Sequence, residues 1–125
     1  MFTVLMSVYA GERAPFLDAA LASLCRQTMA PAKVVLVQDG PLPDALHDVI
    51  ARYRHLLPLK EVALPCNLGL ARALNAGIQE VDTAWVARFD SDDVCLPNRL
   101  GCQADLALSG RFDIFGAQIE EFDQE

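Results

Sequence analysis

The chain has 125 residues, 53% of them hydrophobic, which suffices for one domain burying roughly two-thirds of its unfolded surface around one core. Lys and Arg number 10 against 17 Asp and Glu, a formal net charge of -7 at pH 7. Over most of such a surface a nucleic-acid backbone or an anionic membrane is repelled, so neither is expected as the principal partner, and an anionic small molecule needs local help from a metal or helix N-termini. No run reaches the ~20 apolar residues of a membrane span, and the N-terminus lacks the charged start of a signal peptide, so a cytoplasmic location is expected.

Cys25, Cys66, Cys95 and Cys102 are widely spaced, and three of them lie in apolar or helical patterns, so buried free thiols are expected rather than disulfides or a zinc site. His47 and His55 fall in one predicted helix on different faces, which argues against a shared metal.

In chain order, Phe2-Thr3-Val4-Leu5-Met6-Ser7-Val8 reads as a strand buried on both faces, ending near Tyr9 and Gly11. Pro15 opens a helix whose Leu17, Leu21, Leu24 and Thr28 share one face. Lys33-Val34-Val35-Leu36-Val37 is a second strand, stopped by Gln38-Asp39-Gly40-Pro41, which puts Asp39 at a strand's carboxyl end. Leu46, Val49, Ile50, Tyr53 and Leu57 repeat at helical spacing from Pro43 until Pro58, and residues 59–64 form a weaker third strand.

Pro65-Cys66-Asn67-Leu68-Gly69 is a loop in which Asn67 can cap a helix that carries Leu70, Leu74, Ile78 and Val81 on one side, weakened slightly by Gly77. Residues 83–89 make a fourth strand leading into Asp90-Ser91-Asp92-Asp93. Pro97 then starts a helix with Leu100, Ala104, Ala107 and Leu108, and residues 112–115 look like a fifth strand. Strands that alternate with helices and read as apolar runs predict an α/β fold: a Rossmann-like, mostly parallel sheet with helices on both faces.

In such sheets ligands bind beyond the carboxyl ends of the strands, where this pattern collects Ser7 and Tyr9, Asp39 and the four residues 90–93. Aspartates this close repel one another, and a cation or a polyphosphate–metal complex relieves the repulsion. The plain alternative is an exposed acidic turn whose Asp92 or Asp93 caps the following helix. If the segment is extended, Asp90 and Asp92 point the same way roughly 7 Å apart. Magnesium or manganese, bound through one or two carboxylates plus substrate phosphates, suits such a site. Arg88, charged within an apolar strand, is expected to pair with one of these aspartates. Neither a Gly-x-x-x-x-Gly-Lys phosphate loop nor a Gly-x-Gly-x-x-Gly turn is present.

Four motifs carry a resemblance. Ser7-Val8-Tyr9, Val37-Gln38-Asp39-Gly40, the run from Asn67-Leu68-Gly69 through Arg72 to Gly77, and Arg88-Phe89-Asp90-Ser91-Asp92-Asp93 backed by Leu96-Pro97-Asn98-Arg99-Leu100 together resemble a family 2 glycosyltransferase with the GT-A fold. The likeness runs to about Gly116, so residues 1–116 are expected to form a nucleotide-diphospho-sugar-binding domain. Residues 117–125, with Glu120, Glu121, Asp123 and Glu125, are expected to be an acidic tail or the start of an acceptor-binding half.

The resemblance implies a UDP-sugar donor, an inverting transfer to a polysaccharide, oligosaccharide or lipid-linked acceptor, and Mg2+ or Mn2+ as cofactor. It implies contacts to base and ribose from Ser7, Val8, Tyr9 and Asp39, with Glu12 in the same pocket. Arg72 matches a position where a basic residue approaches base or phosphate, and Asn67, Arg88 and Ser91 complete the donor-binding set. Asp90 matches a ribose or sugar contact that also belongs to the metal set, and Asp92 matches the metal ligand, with Asp93 as the alternative. Gln38 stands where the family more usually has Asp. The general base is expected beyond residue 125, which makes this chain the donor-binding portion of a larger enzyme, in the cytoplasm or at the cytoplasmic face of the membrane. A nucleotidyltransferase, a non-catalytic nucleotide-binding module and a receiver domain are the alternatives. The receiver is disfavoured because Ser7-Val8-Tyr9 and Gly116-Ala117-Gln118 stand where it would carry acidic and lysine residues.

Overall fold

A computed structural model describes residues 2–116. Among the described residues four strands and four helices alternate strictly: β1 (Phe2–Val8), α1 (Ala14–Cys25), β2 (Lys33–Gln38), α2 (Asp44–Tyr53), β3 (Leu59–Ala63), α3 (Leu70–Ile78), β4 (Trp85–Arg88) and α4 (Arg99–Leu108). The strands form one sheet in the order β3-β2-β1-β4, every neighbouring pair parallel. Both faces are covered, which is why β1 and β2 read as unbroken apolar runs.

The sheet divides the interior into two apolar clusters where composition led us to expect one. Phe2, Val4, Met6 and Val8 of β1, with Val34 and Leu36 of β2, pack against α1, α2 and α4. On the other face Leu5, Val35 and Val37 pack against α3. The α1 stripe Leu17, Leu21 and Leu24 and the α2 stripe Leu46, Val49, Ile50 and Tyr53 are buried as their spacing predicts.

On α3 the spacing misleads in part. Leu74 packs against the second cluster as its spacing predicts, but Leu70 and Ile78 are exposed, and the residues buried against the sheet are Ala73 and Gly77. A Cβ on Gly77 would lie 2.5 Å from Leu5 Cδ1 and 2.6 Å from Val37 Cγ2, so the glycine that looked like a mild helix weakness is what lets the helix approach the sheet.

Several ends also shift. α1 stops at Cys25, short of Thr28; α2 stops at Tyr53, leaving His55 in the next turn, although Leu57 stays buried. α3 begins at Leu70 with Gly69, not Asn67, at its N-cap, and it ends before Val81, which packs separately on the second cluster. α4 starts two residues after Pro97, with Asn98 rather than Asp92 or Asp93 at its N-cap. The fifth strand does not form: residues 112–115 are irregular, and Phe115 instead lays its ring 5.2 Å from that of Trp85. All four thiols are free, but only Cys95 is buried; Cys25, Cys66 and Cys102 are exposed because they sit on the outer sides of their segments. The acidic residues 120, 121, 123 and 125 lie outside the described residues.

Candidate functional site

Parallel strands end on a common rim, and the turns leaving β1, β2 and β4 meet there. Together with the loop from β3 to the start of α3 they form an open cleft of about 440 Å³ lined by Ser7, Tyr9, Glu12, Asp39, Asn67, Gly69, Leu70, Asp90, Ser91 and Asp92. Eight of these were expected from sequence. Gly69 and Leu70 were not, because their place depends on how α3 enters the sheet. Val8 is buried in the first cluster, since alternation along β1 turns it away from the rim, and Arg72 is exposed on α3; neither lines the cleft.

Asp39 is 5% exposed, and both its oxygens are engaged. Oδ1 accepts the backbone N–H of Leu68 at 2.8 Å and Oδ2 that of Gly69 at 3.1 Å, so the carboxylate sits at the N-terminus of α3, where the helix field favours a negative charge. The chain permits this closeness only through two glycines. Gly40 and Gly69 adopt φ of 94° and 93°, and a Cβ on Gly40 would stand 2.8 Å from the Asn67 backbone nitrogen.

Gln38 faces away from the cleft. Its amide donates to Glu61 Oε1 at 3.1 Å, and Glu61 is paired through Arg54 at 2.8 Å, which holds the Glu61 carboxyl below its usual range. A carboxylate at position 38 would confront Glu61, which accounts for glutamine here in local terms.

Of the two expected conformations, extended chain or acidic turn, the segment adopts the turn: the Asp93 N–H donates to Asp90 C=O at 3.1 Å. This brings Asp93 in, and one carboxylate oxygen from each of Asp90, Asp92 and Asp93 lies within 4.8 Å of the others. Burial first, and then the charges of Asp90 and Asp92, push the Asp93 carboxyl above its usual range, with Arg99 opposing. Ionised Asp93 therefore costs stability above its folded pKa, and that cost fades as pH falls through it.

Arg88 pairs with Asp90 as expected, 2.8 Å from Oδ1, while its own stem lines a second hollow beside Trp85, Arg99 and Phe115. Ser91 is buried, and its hydroxyl bonds Glu12, so the half-buried Glu12 ties the loop after β1 to the acidic turn. Three exposed oxygen donors this close suit a hard divalent ion, so the residues present fit magnesium or manganese. Among the described residues no helix is long and apolar enough to cross a membrane.

The family described as Glycosyl transferase family 2 matches residues 3–125. The amylovoran biosynthesis glycosyltransferase AmsE of Erwinia amylovora is 43% identical over 125 residues, which is 99% of this chain and 47% of that protein. A UDP-Gal:alpha-D-GlcNAc-diphosphoundecaprenol beta-1,3-galactosyltransferase of Escherichia coli is 37% identical over 98% of this chain and 45% of its own length. The chain thus spans about half the length of these curated relatives. Among solved structures, that of S. aureus TarS superposes with a TM-score of 0.77 at 26% identity, covering 86% of this chain and 19% of TarS. A parallel, helix-covered sheet with the GT-A arrangement, and sequence matches along nearly all its length, show that this chain belongs to glycosyltransferase family 2.

Proposed function

We propose that the cleft binds the diphosphate and nucleoside of a UDP-sugar in a metal-dependent way, as the donor half of an inverting glycosyltransferase acting on a polysaccharide, oligosaccharide or lipid-linked acceptor. One observation carries the reading. The cleft is walled by Glu12, Asp39, Asp90 and Asp92, and among the described residues no basic side chain lines it, yet it lies where a parallel sheet binds its ligand. A diphosphate enters such a wall only with a divalent cation between the charges. The donor named for the E. coli relative, UDP-galactose, agrees with a uridine nucleotide. Four free thiols, three of them exposed, accord with the reducing cytoplasm.

In this reading Asp92, with Asp93 or Asp90, holds magnesium or manganese, which when bound offsets charge on the departing diphosphate. Asp90, its other oxygen paired to Arg88, faces the ribose or sugar, and Ser7 and Tyr9 meet the base and ribose. Asp39 acts on the nucleoside through the Leu68–Gly69 backbone that it fixes. The acceptor hydroxyl attacks the anomeric carbon as the bond to the diphosphate breaks, and its proton passes to a base assigned to the acceptor-binding part of a longer protein.

Calorimetric titration with UDP, ADP and GDP, each with and without Mn2+, tests this. UDP is expected to bind at least about tenfold tighter with Mn2+ than without, and tighter than the other two. Equal binding of all three nucleotides, indifferent to metal, would remove the assignment.

A further inference from the structure

The three clustered aspartates are exposed, and among the described residues one ion pair, Arg88 to Asp90, reaches their carboxylates while Arg99 acts on Asp93 from farther off, so the backbone of the turn has a large part in setting where the three groups sit. That backbone runs straight into residues 95–100, and this segment is fastened to the end of α1. Gln27, 8% exposed, donates from Nε2 to Leu96 C=O at 2.7 Å and accepts the Leu100 N–H on Oε1 at 3.1 Å. Beside it the Thr28 N–H donates to Pro97 C=O at 2.8 Å, and Ser23 Oγ accepts the Cys95 N–H at 3.0 Å while donating to Ala20 C=O.

Leu100 is the second residue of α4, a helix that receives no side-chain cap from Asn98, so its first-turn amide is satisfied by a residue 73 positions away. The residue type matters. One planar group must donate to Leu96 and accept from Leu100, which an amide does; an ionised carboxylate has no donor, and a thioether has no donor and only a weak acceptor.

We infer that Gln27, supported by Ser23, is a positioning residue for the metal-dependent part of donor binding. It holds the segment from which the acidic turn springs and so fixes how residues 90–93 present their oxygens to the cleft. Glu12, through Ser91, holds the same turn from the front. The inference rests on the donor reading above for its functional consequence, but its structural half can be read without any ligand.

The test uses Gln27→Glu, nearly isosteric, and Ser23→Ala, a milder loss in case the first does not fold. Two measurements are made on each: UDP affinity with and without Mn2+, and amide hydrogen exchange in the ligand-free chain. Gln27→Glu is expected to weaken Mn2+-dependent UDP binding roughly tenfold and to speed exchange at the Asp93 amide by a similar factor, as loss of a buried hydrogen bond entails. Metal-free UDP binding and the central amides of Leu5 and Val35 stay as they are. Ser23→Ala shows the same pattern at about threefold. The inference is overturned if Asp93 exchange does not change, if all amides speed up together, or if metal-free and metal-dependent affinities fall alike. A wild-type chain without Mn2+-dependent UDP binding sinks the donor reading, and unchanged Asp93 exchange sinks the role of Gln27, so the two failures separate.

Discussion

Gly77→Val lowers the stability of this chain by about 3 kcal/mol, at the upper end of what overpacking a tight interior costs. The Cβ alone would meet Leu5 Cδ1 at 2.5 Å, Val37 Cγ2 at 2.6 Å and Val35 Cγ1 at 3.3 Å, and all three side chains are buried. Valine adds two further carbons with one favoured rotamer in a helix, so α3 must lift from the sheet. Gly77→Ala sets the same clash, at smaller size, against the helix propensity that alanine gains, ~1 kcal/mol, and so costs less. Lifting α3 also moves Gly69 and Leu70 from the cleft wall, so the proposed UDP binding is expected to weaken with stability. Urea unfolding of both variants measures this. A Gly77→Val chain as stable as the wild type would show that α3 does not sit this close to the sheet.

Asp39→Asn is expected to cost about 2–3 kcal/mol, although the side chains are almost the same size. Both carboxylate oxygens accept backbone N–H groups, from Leu68 and Gly69; asparagine keeps one acceptor and turns an NH2 toward the other N–H. The site is 5% exposed, so water does not readily replace the lost partner. Because Gly69 sets the entry of α3, the same substitution weakens nucleotide binding beyond what its stability loss explains. Unfolding midpoints and UDP affinity measured together check both halves. A stability change below roughly 0.5 kcal/mol would mean that the Asp39 carboxylate is not the anchor of this loop.

Much of this architecture was legible in the sequence because the physics is local. Two-sided burial leaves continuous apolar runs, and those runs gave β1 and β2; Pro and Gly punctuated the ends of helices and strands. The cleft was legible because polar residues at the carboxyl ends of parallel strands must gather on one rim. What escaped reading depends on distances between elements. The buried face of α3 is set by small residues, which a search for apolar stripes passes over in favour of Leu70 and Ile78. Whether residues 90–93 extend or turn is decided by a hydrogen bond from Asp93 to Asp90, and that bond brings in a third carboxylate. A fifth strand was read from the apolar segment Phe112-Asp113-Ile114-Phe115, but the segment joins no ladder, and Phe115 instead sets its ring at a tilt against that of Trp85. Gln27 left no signal at all, since its partners lie some seventy residues further along the chain.

Manganese itself gives the most direct test of the donor site. Its unpaired electrons broaden nearby amide signals in an NMR spectrum, so a substoichiometric Mn2+ titration in the presence of UDP maps where the ion sits. The account predicts selective loss of the Ser91, Asp92 and Asp93 amide signals, with Gly69 next across the cleft, and no such loss in Asp92→Asn. Broadening centred on other carboxylates, such as Asp82 or Asp44, or a pattern unchanged by Asp92→Asn, would contradict it.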